Sequence, residues 1–412
     1  MKIALILPGF SASEDDWCIP ALLDLARVLA GEIELHVFPL RYPQRRGRYL
    51  VYGATVHPQG GGVTRQAGRG LLLARALAAL AAEHRRGRFD LLHAFWADEP
   101  GALAVTAAPL LRVPVLVSLA GGELACFPEI GYGGQLHRSS RALTRLALRR
   151  AAAVTAGSNY LRELATPLAD RVELLPLGVD VELFGDDVPS PPVGTSHPQL
   201  FSPAGEKGGG DSVGVGFKPA LPRSAGFDPS CVHVLQVASL VAVKQPGMLL
   251  EAFARAAQVC PALRLHLAGD GPLEEALRAQ SDRLGITGQV CWHGAVAHEA
   301  LPAYYRAADF CLLASRHEAE GMVVLEAAAA GRVTAGTRVG LVPELAPGHS
   351  VAVDDVAGLA SVMIALASDA GLRAALGRQA REIVRERYSL PHTASQALAL
   401  YRELAAGARR GA

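Results

Sequence analysis

What this sequence lacks narrows it first. It has no charge excess: 40 Lys and Arg stand against 39 Asp and Glu, a formal net charge of +1, so nothing points to nucleic acid as a partner. Its six cysteines, Cys18, Cys126, Cys231, Cys260, Cys291 and Cys311, stand singly with no CxxC pair, which argues against a zinc site and a secreted disulfide framework. No uncharged apolar run approaches the roughly 18 residues that span a bilayer. The opening MKIALILPGF stops at Pro8 and Gly9, too short for a signal peptide, and reads as a buried first strand in a cytoplasmic protein. Also missing is a GxGxxG turn after that strand. Neither PGFSASEDDW nor VFPLRYP supplies the glycines and the acid that a dinucleotide needs, which sets an oxidoreductase aside.

What is there is apolar and periodic. At 412 residues, half of them hydrophobic, the chain exceeds one core and suits two. Short β-branched runs alternate with Ala- and Leu-rich helical stretches, the sequence form of a parallel sheet covered by helices, and the alternation occurs twice. Strands are expected at KIALIL, IELHVF, DLLHAFW, PVLVSLA, AAVTAGS and VELLPLG, then at HVLQVASL, RLHLAGDG, VCWHG, DFCLLAS, RVTAGT and SVAV. Between the halves lies a stretch rich in Pro, Gly and Ser. The expected organisation is an α/β protein of two doubly wound domains, 1–184 and 231–390, joined by a flexible insert at 185–230 and followed by a helix at 391–412 that packs back on the first domain. Two such sheets facing each other create one cleft at the carboxyl ends of their strands.

The stretch ASRHEAEGMVVLEAAAAGRVTAGT carries the most chemistry. A strand ends at Ser315, a polar loop follows, and a helix begins near Gly321. Glycine allows close backbone approach, and the amides of a first helical turn, at the positive end of the helix dipole, suit a diphosphate. Glu326 falls about one turn on, within reach of ribose hydroxyls, and Glu318 precedes the helix on the sugar side. Two glutamates eight positions apart are ordinarily solvated surface groups. Here they bracket a strand-to-helix turn.

EAEGMVVLEAAAAG resembles the EX7E motif of the retaining GT-B glycosyltransferases of family four, with Glu318 and Glu326 in the glutamate positions. The resemblance implies that Glu318 holds hydroxyls of the donor sugar and Glu326 the ribose, while Glu320, Gly321 and Met322 offer backbone to the phosphates. VASLVAVKQPGMLLEAFARA resembles the segment carrying a diphosphate-binding lysine, which falls on Lys244; Ser239 stands where relatives often have a second cation. LHLAGDGPLEEAL resembles the GDGP turn below the nucleotide, at Gly269. VCWHGAVAHEALPAYYRAADFCLLAS resembles the segment whose backbone meets the base, near His293 and Gly294. RVGLVPELAPG matches a loop that ends GG-x-P-E in relatives, with Glu344 as a structural residue.

The first half is similar to the acceptor domain of these enzymes through DLLHAFWADEPG, with His93, and through AAAVTAGSNYLRELA and LLPLGVDVELF. It departs in three places. Only Gly9 remains of the glycine pair in the first loop, Ala120 in VSLAGGE replaces a histidine before Gly121, and Leu177 replaces an asparagine. The histidine in relatives touches the donor sugar, so here the Gly121 backbone and the acceptor hydroxyl are expected to compensate.

The resemblance implies transfer of a sugar from a nucleotide-diphosphate donor to an acceptor hydroxyl with retention, without a metal or other cofactor. The departing diphosphate takes the acceptor's proton and Glu318 and Lys244 stand nearest the reacting centre. The alternative is a sugar-nucleotide-binding or scaffold subunit that has lost catalysis. Nothing in the chain names the acceptor. Arg138, Arg141, Arg145 and Arg149 recur at helical spacing; a solvated basic helix is the ordinary reading, and a peripheral contact with the inner face of a membrane is the other.

Overall fold

The structure, a computed structural model, describes residues 1–45, 47–62, 66–185 and 227–410. The insert expected at 185–230 therefore lies outside the described residues apart from Gly185 and Phe227 to Ser230. The chain divides into two compact units, Met1–Gly178 with Leu390–Ala412, and Val179–Ser389.

In the first unit, β1 (Lys2–Gly9), β2 (Glu34–Tyr42), β3 (Tyr49–Val51), β4 (Ala54–Val56), β5 (Leu91–Phe95), β6 (Val115–Leu119), β7 (Ala153–Ala156) and β8 (Val172–Leu174) form one sheet. Its order is β3-β4-β2-β1-β5-β6-β7-β8, and only β3 with β4 is antiparallel. The central strands are buried along nearly their whole length, as parallel strands between two helical layers must be. The β3–β4 hairpin is absent from the expectations above. Its strands have three residues each, and its signal is a two-residue turn, Tyr52 and Gly53, both at positive φ (45° and 83°), a geometry that matches the twist of the paired strands.

Helices α1 (Pro20–Ala30), α2 (Gln66–Arg86), α3 (Glu99–Leu111), α4 (Arg138–Arg150) and α5 (Asn159–Ala165) pack on this sheet. So does the terminal helix Leu390–Arg410, whose Leu390, Ala394, Ala397, Tyr401 and Leu404 recur every three to four residues and join the core of Ile3, Leu5 and Leu29. One buried polar chain ties that helix to the strands. The Tyr401 hydroxyl lies 2.7 Å from His93 Nδ1, and His93 Nε2 lies 2.7 Å from Ser118 Oγ. His93 is thus a core residue of β5.

The second unit opens with α6 (Val181–Phe184), so the first ends at Gly178 rather than at the expected 184. The reason is Phe184, buried edge-on against Tyr305 and His298 of the second unit. Then come β9 (Val232–Val237), α7 (Pro246–Val259), β10 (Leu263–Ala268), α8 (Glu274–Arg283), β11 (Val290–Gly294), α9 (Leu301–Ala307) and β12 (Phe310–Leu313). The unit closes with α10 (Met322–Ala329), β13 (Thr334–Thr337), α11 (Val342–Leu345), β14 (Ser350–Val351), α12 (Val356–Ser368) and α13 (Ala370–Arg387). The sheet is parallel, in the order β11-β10-β9-β12-β13-β14. The chain builds outward from β9 through β10 to β11, then returns to the other side of β9 as β12. That reversal sets the loops after β9 and β12 side by side, the position where open α/β sheets hold ligands.

Three histidines run diagonally across this sheet. His293 Nε2 lies 2.9 Å from His266 Nδ1, His266 Nε2 lies 2.9 Å from His233 Nδ1, and His233 Nε2 donates to the Asp228 carbonyl at 2.7 Å. Phe227 stacks on His266 with ring centroids 3.9 Å apart, so the end of the expected insert belongs to this unit. Burial pulls His266 and His93 down to about 3.

An unfolded chain protonates these rings below about pH 6.5, whereas the folded chain does not until about pH 3, so acidification through that window favours unfolding. The expected outcome is a melting temperature that falls from pH 7 to pH 4, and a smaller fall in His93→Gln. An unchanged slope in the variant would show that His93 does not titrate this way.

Candidate functional site

At the switch point of the second unit, Ser315 follows β12 and the loop runs through Glu318 to Gly321, the residue before α10. Gly321 takes φ 84°, a left-handed conformation that costs glycine least, and turns the chain into the helix. No side chain caps this turn and its first residues carry no acid. The amides at the helix head, in Met322 and Val323, are those that a helix leaves without intrahelical partners. Both residues are half-buried, so the positive end of the dipole is not sealed into the core.

Glu318 is the hub of the loop. Its Oε1 accepts from Lys244 Nζ at 2.6 Å and from Ser315 Oγ at 2.6 Å. Lys244 comes from the loop after β9, so the ion pair joins the two loops that the strand order brings together. Backbone contacts reinforce it: the Arg316 amide donates to the Val243 carbonyl at 2.8 Å, and Thr337 Oγ1 donates to the Ser315 carbonyl at 2.6 Å. A third loop, after β13, closes in. The Leu341 amide donates to the Glu320 carbonyl at 2.9 Å, and Gly340 stands so close that a Cβ there would lie 2.4 Å from the Glu320 oxygen and 2.9 Å from Glu318 Cβ. Gly340 is therefore fixed by close approach to the very loop that carries the two acids.

Glu326, in the second turn of α10, is buried and accepts from the Tyr305 hydroxyl at 2.7 Å. Burial, then the neighbouring carboxylate, pushes Tyr305 well above its usual range, so the phenol keeps its proton and donates. The structure thus places Lys244, Ser315, Glu318, Glu320, Gly321, Met322 and Glu326 around one strand-to-helix turn.

The remaining residues singled out in the sequence are distributed more widely. Ser239 is exposed at the carboxyl end of β9. Gly269 (φ 145°) follows β10; its amide donates to the Gly294 carbonyl at 2.7 Å, and a Cβ would meet the Ala238 oxygen at 2.0 Å, so these two glycines stitch neighbouring loops together. His293 turns its Nε2 to the histidine ladder, which commits that nitrogen to the core. Arg316, whose amide bonds the Val243 carbonyl in the loop after β9, has its guanidinium paired with Asp354 at 3.2 Å. Glu344 accepts from the Tyr388 hydroxyl at 2.9 Å, a part-buried contact.

Gly9 and Gly121 lie in the first unit, at the ends of β1 and β6. The expectation that the Gly121 backbone replaces the missing histidine meets an obstacle. Its amide donates to Glu123 Oε2 at 2.7 Å, while the amides of Ala97 and Ala120 donate to Oε1 at 3.2 Å each. Glu123 is fully buried and burial pushes it up to about 7 despite these donors. It ties the loop after β5 to the loop after β6. Trp96, in the loop after β5, holds φ 71°, a strained value for a large side chain. The sequence reading missed Glu123, Trp96, Tyr305 and Ser315. A carboxylate three residues beyond Ala120 was the visible signal for the first; the others depend on which loops meet.

The Lys244–Glu318 pair is partly exposed, with side chains 27% and 11% accessible, so its net worth is modest. A double-mutant cycle of Lys244→Ala and Glu318→Gln on thermal stability is expected to return a coupling of about 1 kcal/mol. Simple additivity would mean that the two loops are not joined in solution.

Two family models match the chain, one on each side of the boundary: "Glycosyltransferase Family 4" over residues 21–183 and "Glycosyl transferases group 1" over residues 218–383. The 2-deoxystreptamine N-acetyl-D-glucosaminyltransferase of Streptomyces fradiae is 30% identical over 298 residues, 70% of this chain and 65% of that protein. The D-inositol 3-phosphate glycosyltransferase of Segniliparus rotundus is 33% identical over 132 residues, 31% of this chain and 29% of that protein. The chain thus spans less than two thirds of either relative. HepE of Anabaena, crystallised in complex with UDP, superimposes with a TM-score of 0.70 at 17% identity over 98% of this chain and 100% of that one, a likeness of fold. With a glycosyltransferase model on each unit and that fold throughout, the chain belongs to the GT-B glycosyltransferases.

Proposed function

We propose that this protein transfers a sugar, with retention of configuration and without a metal ion, from a nucleoside-diphosphate donor to an acceptor hydroxyl. The observation that carries the reading is the convergence of Lys244, Glu318 and the uncapped head of α10 at the switch point of the second unit.

Each part has work in such a reaction. Breaking the glycosidic bond leaves negative charge on the diphosphate, which the first-turn amides and Lys244 stabilise. Lys244 already faces an anion, Glu318, and a diphosphate is a stronger one; its arrival draws the ammonium across and frees the carboxylate for hydroxyls of the donor sugar. Glu326, fixed by the Tyr305 hydroxyl, is the residue that would meet the ribose. Lys244 and the amides together answer the charge that a divalent ion would otherwise meet. The acceptor hydroxyl approaches on the face that the diphosphate leaves, and a diphosphate oxygen takes its proton, so the O–H and glycosidic bonds break as the new C–O bond forms. The UDP held by HepE supports testing UDP sugars first among donors.

A thermal-shift screen against UDP, GDP and ADP sugars tests the reading. One donor raises the melting temperature by several degrees, and Lys244→Ala abolishes the rise. With that donor, Glu318→Ala lowers transfer or donor hydrolysis about a hundredfold or more, EDTA leaves activity unchanged, and the product keeps the donor's anomeric configuration by NMR. An inverted product sinks retention, loss in EDTA sinks metal independence, and a donor that binds equally well to Lys244→Ala sinks the site.

A further inference from the structure

The formal charge of the whole chain is +1, yet from Ile130 to Arg162 it carries six arginines and no aspartate or glutamate. Four of them, Arg138, Arg141, Arg145 and Arg149, lie on α4 at spacings of three and four, which puts them on one narrow stripe. All four are exposed, and none has an ion-pair partner among the described residues. The adjoining face, with Thr144, Ala147 and Leu148, is buried. The helix is therefore oriented by its core side, and the arginines project outward.

Helix stability does not account for the stripe. Arg149 suits the last turn, but Arg138 and Arg141 stand in the first, where the dipole disfavours cations, and no side chain caps that end. Like charges at i, i+4 repel besides, and α4 itself carries no acid to offset the cost. Beside the stripe runs the loop that leads into α4. It pinches between Phe127 and Tyr132, where the Phe127 amide donates to the Tyr132 carbonyl at 2.8 Å, and leaves Phe127, Ile130 and Leu136 half-buried.

We infer that α4 and its leading loop form a docking face for an anionic membrane surface, the arginines meeting lipid phosphates while Phe127, Ile130 and Leu136 reach the boundary of the acyl region. Charge complementarity names the partner. A row of unpaired guanidinium groups bordered by apolar side chains fits a phosphate-covered layer with an apolar interior. A polynucleotide groove would ask for a broader basic field than one helix in a charge-balanced chain. Since α4 begins after the loop that leaves the carboxyl end of β6, the face borders the ligand-bearing end of the first unit's sheet. A membrane-held acceptor would be delivered there.

The test needs no substrate, so its failure leaves the donor site untouched. The full chain is sedimented in about 0.1 M NaCl with vesicles of phosphatidylcholine alone or mixed with phosphatidylglycerol. The expected result is partition at least about tenfold stronger with phosphatidylglycerol, weakened by added salt. A combined Arg138→Gln, Arg141→Gln, Arg145→Gln and Arg149→Gln variant loses that preference while keeping its melting temperature. Should it fail to fold, the two paired variants, Arg138→Gln with Arg141→Gln and Arg145→Gln with Arg149→Gln, each lose about tenfold. Equal partition into both vesicles, or variants that bind like the parent, overturns the proposal. So does an RNA or DNA duplex that binds more tightly than the vesicles and is lost in the same variants.

Discussion

Much of the second unit's chemistry hangs on the meeting of Lys244 and Glu318, 2.6 Å apart, across two loops separated by 74 residues of sequence. The charges themselves contribute little to stability, since both are partly open to water. What matters is what holds them in register. Strand order sets the loops after β9 and β12 side by side, backbone bonds from Arg316 to Val243 and from Leu341 to Glu320 pin them, and Gly340 lets the third loop press against the second without a side chain between. The polar groups are thereby positioned by hydrogen-bonded backbone rather than by their own rotamers. A site for a flexible, charged ligand needs that kind of preorganisation.

The two units solve the same problem differently. In the second, the carboxylate at the strand ends faces a cation and remains partly accessible. In the first, Glu123 is sealed in and spends its oxygens on three backbone amides from two loops. One carboxylate faces a cation at a partly open turn, and the other is a buried brace. This contrast also bears on Ala120: its loop is braced by Glu123 three residues on, through the Ala120 and Gly121 amides, so the brace does not call on a side chain at position 120.

Much of the fold was legible from the chain because the signals were local. Buried parallel strands give unbroken apolar runs such as KIALIL, and each strand expected from such a run is present. The terminal helix was readable from its spacing. The hairpin at β3 and β4 was not, because three-residue strands carry too few positions to show a period and the turn rests on positive φ at a tyrosine. The boundary moved from 184 to 178 for a similar reason: α6 is four residues long, and only the burial of Phe184 against Tyr305 and His298 decides which unit it joins.

For the site the division falls along the same line. The sequence alone determined the turn: a strand, a short polar loop with Glu318, a glycine and a helix with Glu326 about one turn in, because each of these is a local signal along the chain. Only the tertiary structure decided the partners. That Glu318 faces Lys244 and Ser315, that Tyr305 holds Glu326, that Glu123 occupies the Gly121 amide and that His293 turns its Nε2 into a ladder of histidines all depend on which strands lie adjacent. Local sequence encodes spacing along one element. Adjacency between elements is set by how whole sheets pack, and no single stretch of chain contains it.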